Sequence, residues 1–493
     1  MLYTSTRDSS LRFPAAKCFV QGISADGGLF VPETFPQLTL DEIASMSELS
    51  YSERAFMVLS RYLTDFSAEE LKTCIKNAYE LKFDDQGVAP LHFLNDTTAV
   101  MELYHGPTLA FKDVALQILP QFLKCARKKV NEDATTLILV ATSGDTGKAA
   151  LEGFADVDGM AIAVFFPNQG VSKMQQLQMT TQTGDNVFVC AVNGNFDDAQ
   201  TGVKKIFADE GVKAELAKKG VKLSSANSIN WGRLVPQIVY YFSAYADMLK
   251  AGKIQKGDKI NFVVPTGNFG DILAGFYAKK MGLPVNKLIC ASNKNKVLTD
   301  FFDTGIYCAN RDFYKTNSPS MDILISSNLE RLLFELSGGD APMIASLMAQ
   351  LKNAGEYRIN EDMFTALHES FAAGNASETE TAYAIRDTWA ESNYCIDTHT
   401  AVGVAVYEKY RKNTKDTTPC VLLSTASPYK FPRSVLAAIQ HEIPEDEFEA
   451  AEILKSMGIK QPAQIEALKT ATVLHKTVCE KDAMAETVIN SVK

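Results

Sequence analysis

Thr136-Leu137-Ile138-Leu139-Val140-Ala141-Thr142-Ser143-Gly144-Asp145-Thr146-Gly147 decides how the rest of the chain is read. Its first half is a continuous apolar run, as expected of a parallel strand buried on both faces. The run stops at hydroxyls and glycines, and a helical pattern resumes from Lys148 to Ala155. Ala161 to Phe166 and Val187 to Val192 repeat the strand signature. Downstream, a helical Pro236 to Leu249 leads into Ile260-Asn261-Phe262-Val263-Val264. That run ends in Pro265-Thr266-Gly267-Asn268-Phe269-Gly270-Asp271, before a helix expected over Ile272 to Met281. Leu288 to Ala291 and Val421 to Leu423 complete the strand set. Strand–helix alternation of this kind predicts an α/β architecture: open, mostly parallel sheets with flanking helices, split into two lobes.

Outward from that centre the pattern changes. Residues 1–95 read as a mixed α/β domain, with helical stripes over Leu40 to Met46, Ser52 to Leu63 and Ser67 to Tyr79. Ser67 and Glu70 have the spacing of a capping box. Gly27-Gly28 turns into a short extended Leu29-Phe30-Val31-Pro32. The expected divisions are 1–95, a smaller lobe 96–235, a larger lobe 236–450 and a helical tail 451–493. The stretch from Leu329 to Ala390 reads as mostly helical, and Pro444 to Lys493 as a polar helical tail.

Bulk properties narrow the function. With 493 residues, 46% apolar and 22% charged, the chain has core material for several domains. A net charge of −10 argues against general affinity for nucleic acid or an anionic membrane, while leaving room for a local anion site. Nine cysteines are scattered without a CxxC pair, so neither a metal site nor a disulfide framework is expected, and a reducing cytoplasm is the natural location. The first residues lack the apolar core of a signal peptide, and no apolar run approaches the ~20 residues of a membrane span.

Ligands of open parallel sheets bind beyond the carboxyl ends of strands, so the loops there are the candidates. Thr142 to Gly147 offers hydroxyls, glycines and a helix start able to hold a carboxylate or phosphate, or is an ordinary strand–helix turn. It is not a P-loop: two residues, not four, separate Gly144 from Gly147, and Ala149 follows Lys148. Gly267-Asn268-Phe269-Gly270 is the better phosphate cradle, with Asp271 expected to cap its helix. Asn227-Ser228-Ile229-Asn230-Trp231-Gly232-Arg233 gathers two amides, a hydroxyl and a guanidinium. Arg233 could clamp a phosphate, or the loop could be pinned by asparagine turns with Arg233 on the surface. Thr425, in Ser424-Thr425-Ala426-Ser427-Pro428, sits where a hydroxyl could meet a ring nitrogen. In His105-Gly106-Pro107-Thr108-Leu109-Ala110-Phe111-Lys112-Asp113, Lys112 starts an amphipathic helix. Such a lysine normally points to water; buried, it deprotonates readily and can form a Schiff base. His399 reads as a helix start or a structural histidine rather than a base.

Together these stretches resemble the threonine synthase family, pyridoxal-phosphate enzymes of the tryptophan-synthase-β fold type (fold type II). Met1 to Arg7 and Asp26 to Glu33 resemble its N-terminal domain, HGPTLAFKD its cofactor-lysine motif, TSGDTG its substrate loop, NSINWGR its substrate-phosphate segment and GNFGD its cofactor-phosphate cradle. The resemblance implies a lyase in threonine biosynthesis that turns O-phospho-L-homoserine and water into L-threonine and phosphate. Lys112 would be the catalytic lysine bearing pyridoxal 5'-phosphate. Gly267, Asn268, Phe269 and Gly270 would take the cofactor phosphate, and Thr425 would face the pyridine nitrogen. Ser143, Gly144, Asp145 and Thr146 would lie on the substrate carboxylate side, with Asn227, Ser228, Asn230 and Arg233 on its phosphate. Ser427-Pro428-Tyr429 stands where the family commonly has His-Pro-Ala, so cofactor protonation or substrate choice could differ. A monomer or homodimer with a small-molecule substrate is implied. The competing readings are a serine/threonine dehydratase or β-replacement enzyme of the same fold, which needs no second phosphate clamp, and a nucleotide-binding regulatory protein built on TSGDTGK.

Overall fold

The computed structural model describes every residue except Ser143, Gly170, His441 and Lys493. Each apolar run becomes a strand, somewhat longer than its sequence signature. One sheet takes the order Phe371–Asn375, Val285–Ser292, Ile260–Pro265, Cys420–Ser424, Thr98–Glu102, Leu91–Phe93. All its pairings are parallel except the last. The second is wholly parallel, in the order Thr477–Glu480, Val187–Asn193, Met160–Pro167, Thr135–Ala141, Val221–Ser224. The fold is therefore the expected one, α/β with two mostly parallel sheets flanked by helices. Every residue of the central strand Ile260–Pro265 is buried, which is why its sequence is continuously apolar rather than alternating.

Residues 1–95 supply a ribbon, Tyr3–Ser5 with Phe30–Pro32, and several helices, three of which start on side-chain caps. Ser67 and Glu70 form the expected capping box, and Thr39/Glu42 and Ser50/Glu53 repeat it. Each such cap satisfies amides the helix cannot pair itself, worth about 1 kcal/mol. The N-terminal segment is also tied across the molecule: Arg7 pairs bidentately with Glu330, at 2.9 and 2.8 Å.

Several elements differ from the sequence reading. The amphipathic helix expected from Lys112 is two helices, Lys112–Leu116 and Leu119–Lys129. Pro120 in the first turn of the second has no N–H to continue the first. The glycine-loop helix begins at Asp145, earlier than Lys148, because Thr142 Oγ1 accepts from the amides of Gly144 (3.0 Å) and Gly147 (3.1 Å) and closes the turn. Within the mostly helical stretch 329–390 lie two strands, Glu356–Arg358 and Phe371–Asn375, the second an edge of the larger sheet. The tail is not only helical: Thr477–Glu480 is an edge strand of the smaller sheet. Its helices divide between cores. Ala450, Leu454 and Ile465 pack with Val263 and Leu422, whereas Met484 and Val488 pack with Leu139 and Phe165. No helix among the described residues is long and apolar enough to cross a membrane.

Gly153 is where the helix Asp145–Phe154 touches the Lys112 helix: a Cβ there would lie 2.0 Å from the Leu116 carbonyl oxygen. Backbone cannot yield as a side chain can, so Gly153→Ala is expected to cost about 1–3 kcal/mol in urea unfolding. An unchanged midpoint would contradict the close approach.

Candidate active site

Three neighbouring strands of the larger sheet, Ile260–Pro265, Cys420–Ser424 and Thr98–Glu102, run parallel, so the loops at their carboxyl ends share one edge. Those loops carry the glycine cradle, Thr425 and the approach to Lys112. The last two are sewn together: the Phe111 amide donates to Thr425 O (2.9 Å) and the Ser427 amide to Leu109 O (3.0 Å). Leu109 takes a left-handed φ of 62° to make this possible. Behind it, Thr108 donates through its amide (2.8 Å) and hydroxyl (2.7 Å) to the buried Asp113 carboxyl. Gly106 must be glycine here, because a Cβ would sit 2.4 Å from the Asp113 Cβ. The residue that follows this clamp is Lys112.

Lys112 does not point to water. Its side chain is 11% exposed and lies 4.0 Å from Asp145 Oδ2. The amine donates to Ser320 Oγ (3.4 Å), which donates in turn to Asp145 Oδ2 (3.0 Å). Burial lowers the Lys112 amine below its ordinary pKa; Asp145 opposes this, while Arg233 and Lys430 add to it. On the far side of Asp145, Lys430 Nζ makes an ion pair at 2.8 Å and also donates to Thr108 O (3.1 Å). Despite desolvation, Lys430 and Lys112 hold the Asp145 carboxyl far below the usual carboxylate range.

Two anion-receptive features flank the amine. The cradle Gly267 to Gly270 leads into the helix Gly270–Lys280, whose N-terminal amides carry the positive end of the helix dipole. Phe269 adopts a left-handed φ of 64°, and its ring is buried near Phe302 and Phe371, so only its backbone faces the loop. Gly267 tolerates no side chain: a Cβ would meet Ser320 O at 2.8 Å. Asn268 is exposed. The second feature is Arg233. It is 6% exposed, its Nη1 donates to Ala226 O (2.7 Å), and its Nε has no partner among the described residues. Burial alone lowers its pKa, to about 10. A buried guanidinium without a carboxylate is costly unless an anion completes it.

Several of the expected groups are engaged by other parts of the protein. Asp145, expected on the substrate side, is turned toward Lys430, Ser320 and Lys112. Asn230, expected on the phosphate, is used up as a cap and tether, accepting from the Gly232 amide (2.9 Å) and donating to Phe19 O (3.0 Å). Asp271 does not cap its helix by side chain; Tyr240 (2.5 Å) and Tyr241 (2.9 Å) hydroxyls hold it. Gly144 lies at the start of the helix Asp145–Phe154 and Thr146 in its first turn, half-buried, while Ser143 lies outside the described residues. Asn227 and Ser228 remain at the surface of the cleft segment, and Thr425 is buried beside the lysine clamp. His399 is a structural histidine as expected: Nδ1 meets Asp397 Oδ2 (2.8 Å) and Nε2 accepts from the Ser320 amide (3.1 Å).

The sequence reading missed Ser320, Lys430, Asn328 and Arg331. Asn328 Nδ2 donates to Asn268 O (3.0 Å) and Ser228 O (3.4 Å), joining the two anion loops. Arg331, fully buried, braces Asn328 and donates to Phe30 O (2.9 Å) and Ile229 O (2.6 Å). Lys430, two residues beyond a Ser-Pro turn, was findable as a cation near a strand end; the others had no local signal.

A buried amine, a glycine-lined helix start and a hydroxyl at one sheet edge define a pyridoxal-phosphate-dependent enzyme, and the family model described as "Pyridoxal-phosphate dependent enzyme" matches residues 86–426. Models for the threonine synthase N terminus and C-terminal region match residues 2–79 and 400–478. The threonine synthase of Pseudomonas aeruginosa is 41% identical over 436 residues, 88% of this chain and 90% of that protein. Human threonine synthase-like 1 is 39% identical over 482 residues, 95% of this chain, which spans only 64% of that relative's length. The crystal structure of pyridoxal-phosphate-bound threonine synthase from Brucella melitensis superposes with a TM-score of 0.89 at 38% identity, covering 100% of both chains. The chain belongs to the threonine synthase family, and its cofactor is pyridoxal 5'-phosphate. The residues fit that group: an amine with lowered pKa for its aldehyde, and a glycine loop at a helix start, crowded at Gly267, for its phosphate.

Burial pushes the Asp271 carboxyl up to about 6, against the two tyrosine hydroxyls and Lys112. A carboxyl raised above its unfolded value of ~3.9 costs the fold stability as pH rises from about 4 to 6, since the folded state then holds more protons. In cofactor-free protein, Asp271→Asn is expected to flatten the fall of unfolding free energy across that window. An unaltered pH profile would contradict the assignment.

Proposed function

We propose that this protein is a threonine synthase, converting O-phospho-L-homoserine and water to L-threonine and phosphate. The observation that carries the reading is Arg233, a buried guanidinium with no ion-pair partner among the described residues, in the same cleft as a cofactor lysine. One anion site serves the cofactor; a second strong cation is supernumerary unless the substrate also carries phosphate. A dehydratase or β-replacement enzyme of this fold has no use for it. The nucleotide-binding alternative is disfavoured because Lys148, its phosphate-binding candidate, pairs with Glu152 (3.4 Å) and Gln182 instead.

The residues divide the work. Gly267, Asn268, the Phe269 backbone and Gly270 would hold the cofactor phosphate, and Thr425 would offer its hydroxyl to the ring nitrogen. Bound in this way, pyridoxal phosphate supplies an electron sink for negative charge at the substrate's Cα. Lys112 Nζ would hold the cofactor and, when free, would move protons at the substrate's Cα and Cβ; its lowered pKa favours the free base this needs. Arg233, with Asn227 and Ser228, holds the substrate phosphate and stabilises the charge it takes when the bond to Cγ breaks. Asn230 acts by fixing the Trp231–Leu234 turn that presents Arg233. Gly144 and Thr146, with Ser143, receive the substrate carboxylate at a helix start, while Asp145 keeps Lys430 and Lys112 in place.

Purified protein should release phosphate from O-phospho-L-homoserine with formation of threonine, and borohydride should fix the cofactor on the peptide containing Lys112. Lys112→Ala should abolish both. Arg233→Ala should raise KM for the phosphorylated substrate about a hundredfold or more while leaving cofactor capture intact. An unchanged KM would remove the phosphohomoserine assignment.

A further inference from the structure

Ser320 belongs to none of the motifs that mark this cleft, yet it touches the reacting amine. It lies in the short turn Pro319–Met321, held from three sides. Its amide donates to His399 Nε2 (3.1 Å), whose other nitrogen is fixed by Asp397, so that His399 must present Nε2 as an acceptor. Its carbonyl oxygen packs against Gly267, where a Cβ would come within 2.8 Å. Its hydroxyl accepts from Lys112 Nζ (3.4 Å) and donates to Asp145 Oδ2 (3.0 Å), while Lys112 and Asp145 themselves stay 4.0 Å apart.

We propose that Ser320 is a further catalytic residue, whose hydroxyl, interposed between Lys112 and Asp145, keeps the two from pairing directly and holds the amine oriented and free to act. A buried lysine beside a buried carboxylate would otherwise close to hydrogen-bond distance and lock as an ammonium–carboxylate pair. Ser320 spends its one proton on Asp145 and offers Lys112 only a neutral acceptor. The other groups facing the amine do not replace this function. Lys430 and Arg233 are cations, Asp113 is tied to Thr108, Asp271 to Tyr240 and Tyr241, and His399 reaches Lys112 only through the Ser320 peptide. The inference rests on Lys112 being the cofactor amine.

Competitive acetylation of cofactor-free protein across pH, read by mass spectrometry on the Lys112 peptide, gives the titration of that amine without any turnover. Ser320→Ala should move its midpoint upward by about one pH unit, a tenfold smaller free-amine fraction at neutral pH, and slow capture of added pyridoxal phosphate in proportion. Ser320→Thr, which keeps the hydroxyl, should restore both. In an Asp145→Asn background Ser320→Ala should leave the midpoint where it is, since no carboxylate remains to pair with. Should Ser320→Ala fail to fold, Ser320→Cys, nearest in volume and a weaker donor, should shift the midpoint in the same direction. An unchanged Lys112 titration in a folded Ser320 variant overturns the proposal. Failure of borohydride to label Lys112 in the wild-type protein would instead overturn the functional reading beneath it.

Discussion

The site depends on an imbalance of buried charge around Asp145. Two cations, Lys430 and Arg233, and the Lys112 amine line the cleft around Asp145, whose carboxyl Lys430 and Lys112 hold far below the usual range despite its burial. Two other carboxyls nearby, Asp113 and Asp271, are pushed up to about 6 by burial and fastened to hydroxyls. The chain therefore carries excess positive charge where water is scarce, a state that anionic ligands relieve. The cofactor and the substrate proposed for this site would together bring two phosphates and a carboxylate. Electrostatics thus ties ligand binding to stability as well as to catalysis.

The same logic explains the rigid surroundings of the amine. The clamp between Leu109–Phe111 and Thr425–Ser427 fixes where Lys112 emerges, and Asp113 beneath Gly106 fixes the direction of its helix. Parallel pairing of Cys420–Ser424 with both neighbours brings the glycine loop, Thr425 and the approach to Lys112 to one edge without any loop having to travel far. Function here is a consequence of strand order.

Much of this was legible in the sequence, because fully buried parallel strands cannot alternate and so announce themselves as apolar runs. The motif loops stood out for a related reason: glycine and hydroxyl clusters directly after such runs sit where open parallel sheets bind their ligands, although each alone could be an ordinary turn. Phe371-Ala-Ala-Gly-Asn was not, since an edge strand pairs on one side only and this one begins as the helix Glu361–Ser370 ends. Ser320 and Asn328 were invisible because their roles exist only across the fold; Ser320 meets Lys112 208 positions away. The partners of Asp145 were equally hidden, because a carboxylate in a ligand loop looks like a ligand group until Lys430 arrives from another strand end. Asp271 misled in the same way, its helix-start position concealing two tyrosines from the preceding helix.

The divided tail joins the two cores. Residues 447–468 pack on the core beneath the larger sheet and 477–491 on that of the smaller. The residues between them are pinned as well, the Leu474 and His475 amides both donating to Thr180 O (2.9 and 3.0 Å). The last segment of the chain therefore belongs to both halves, and any displacement of one sheet against the other has to carry it along.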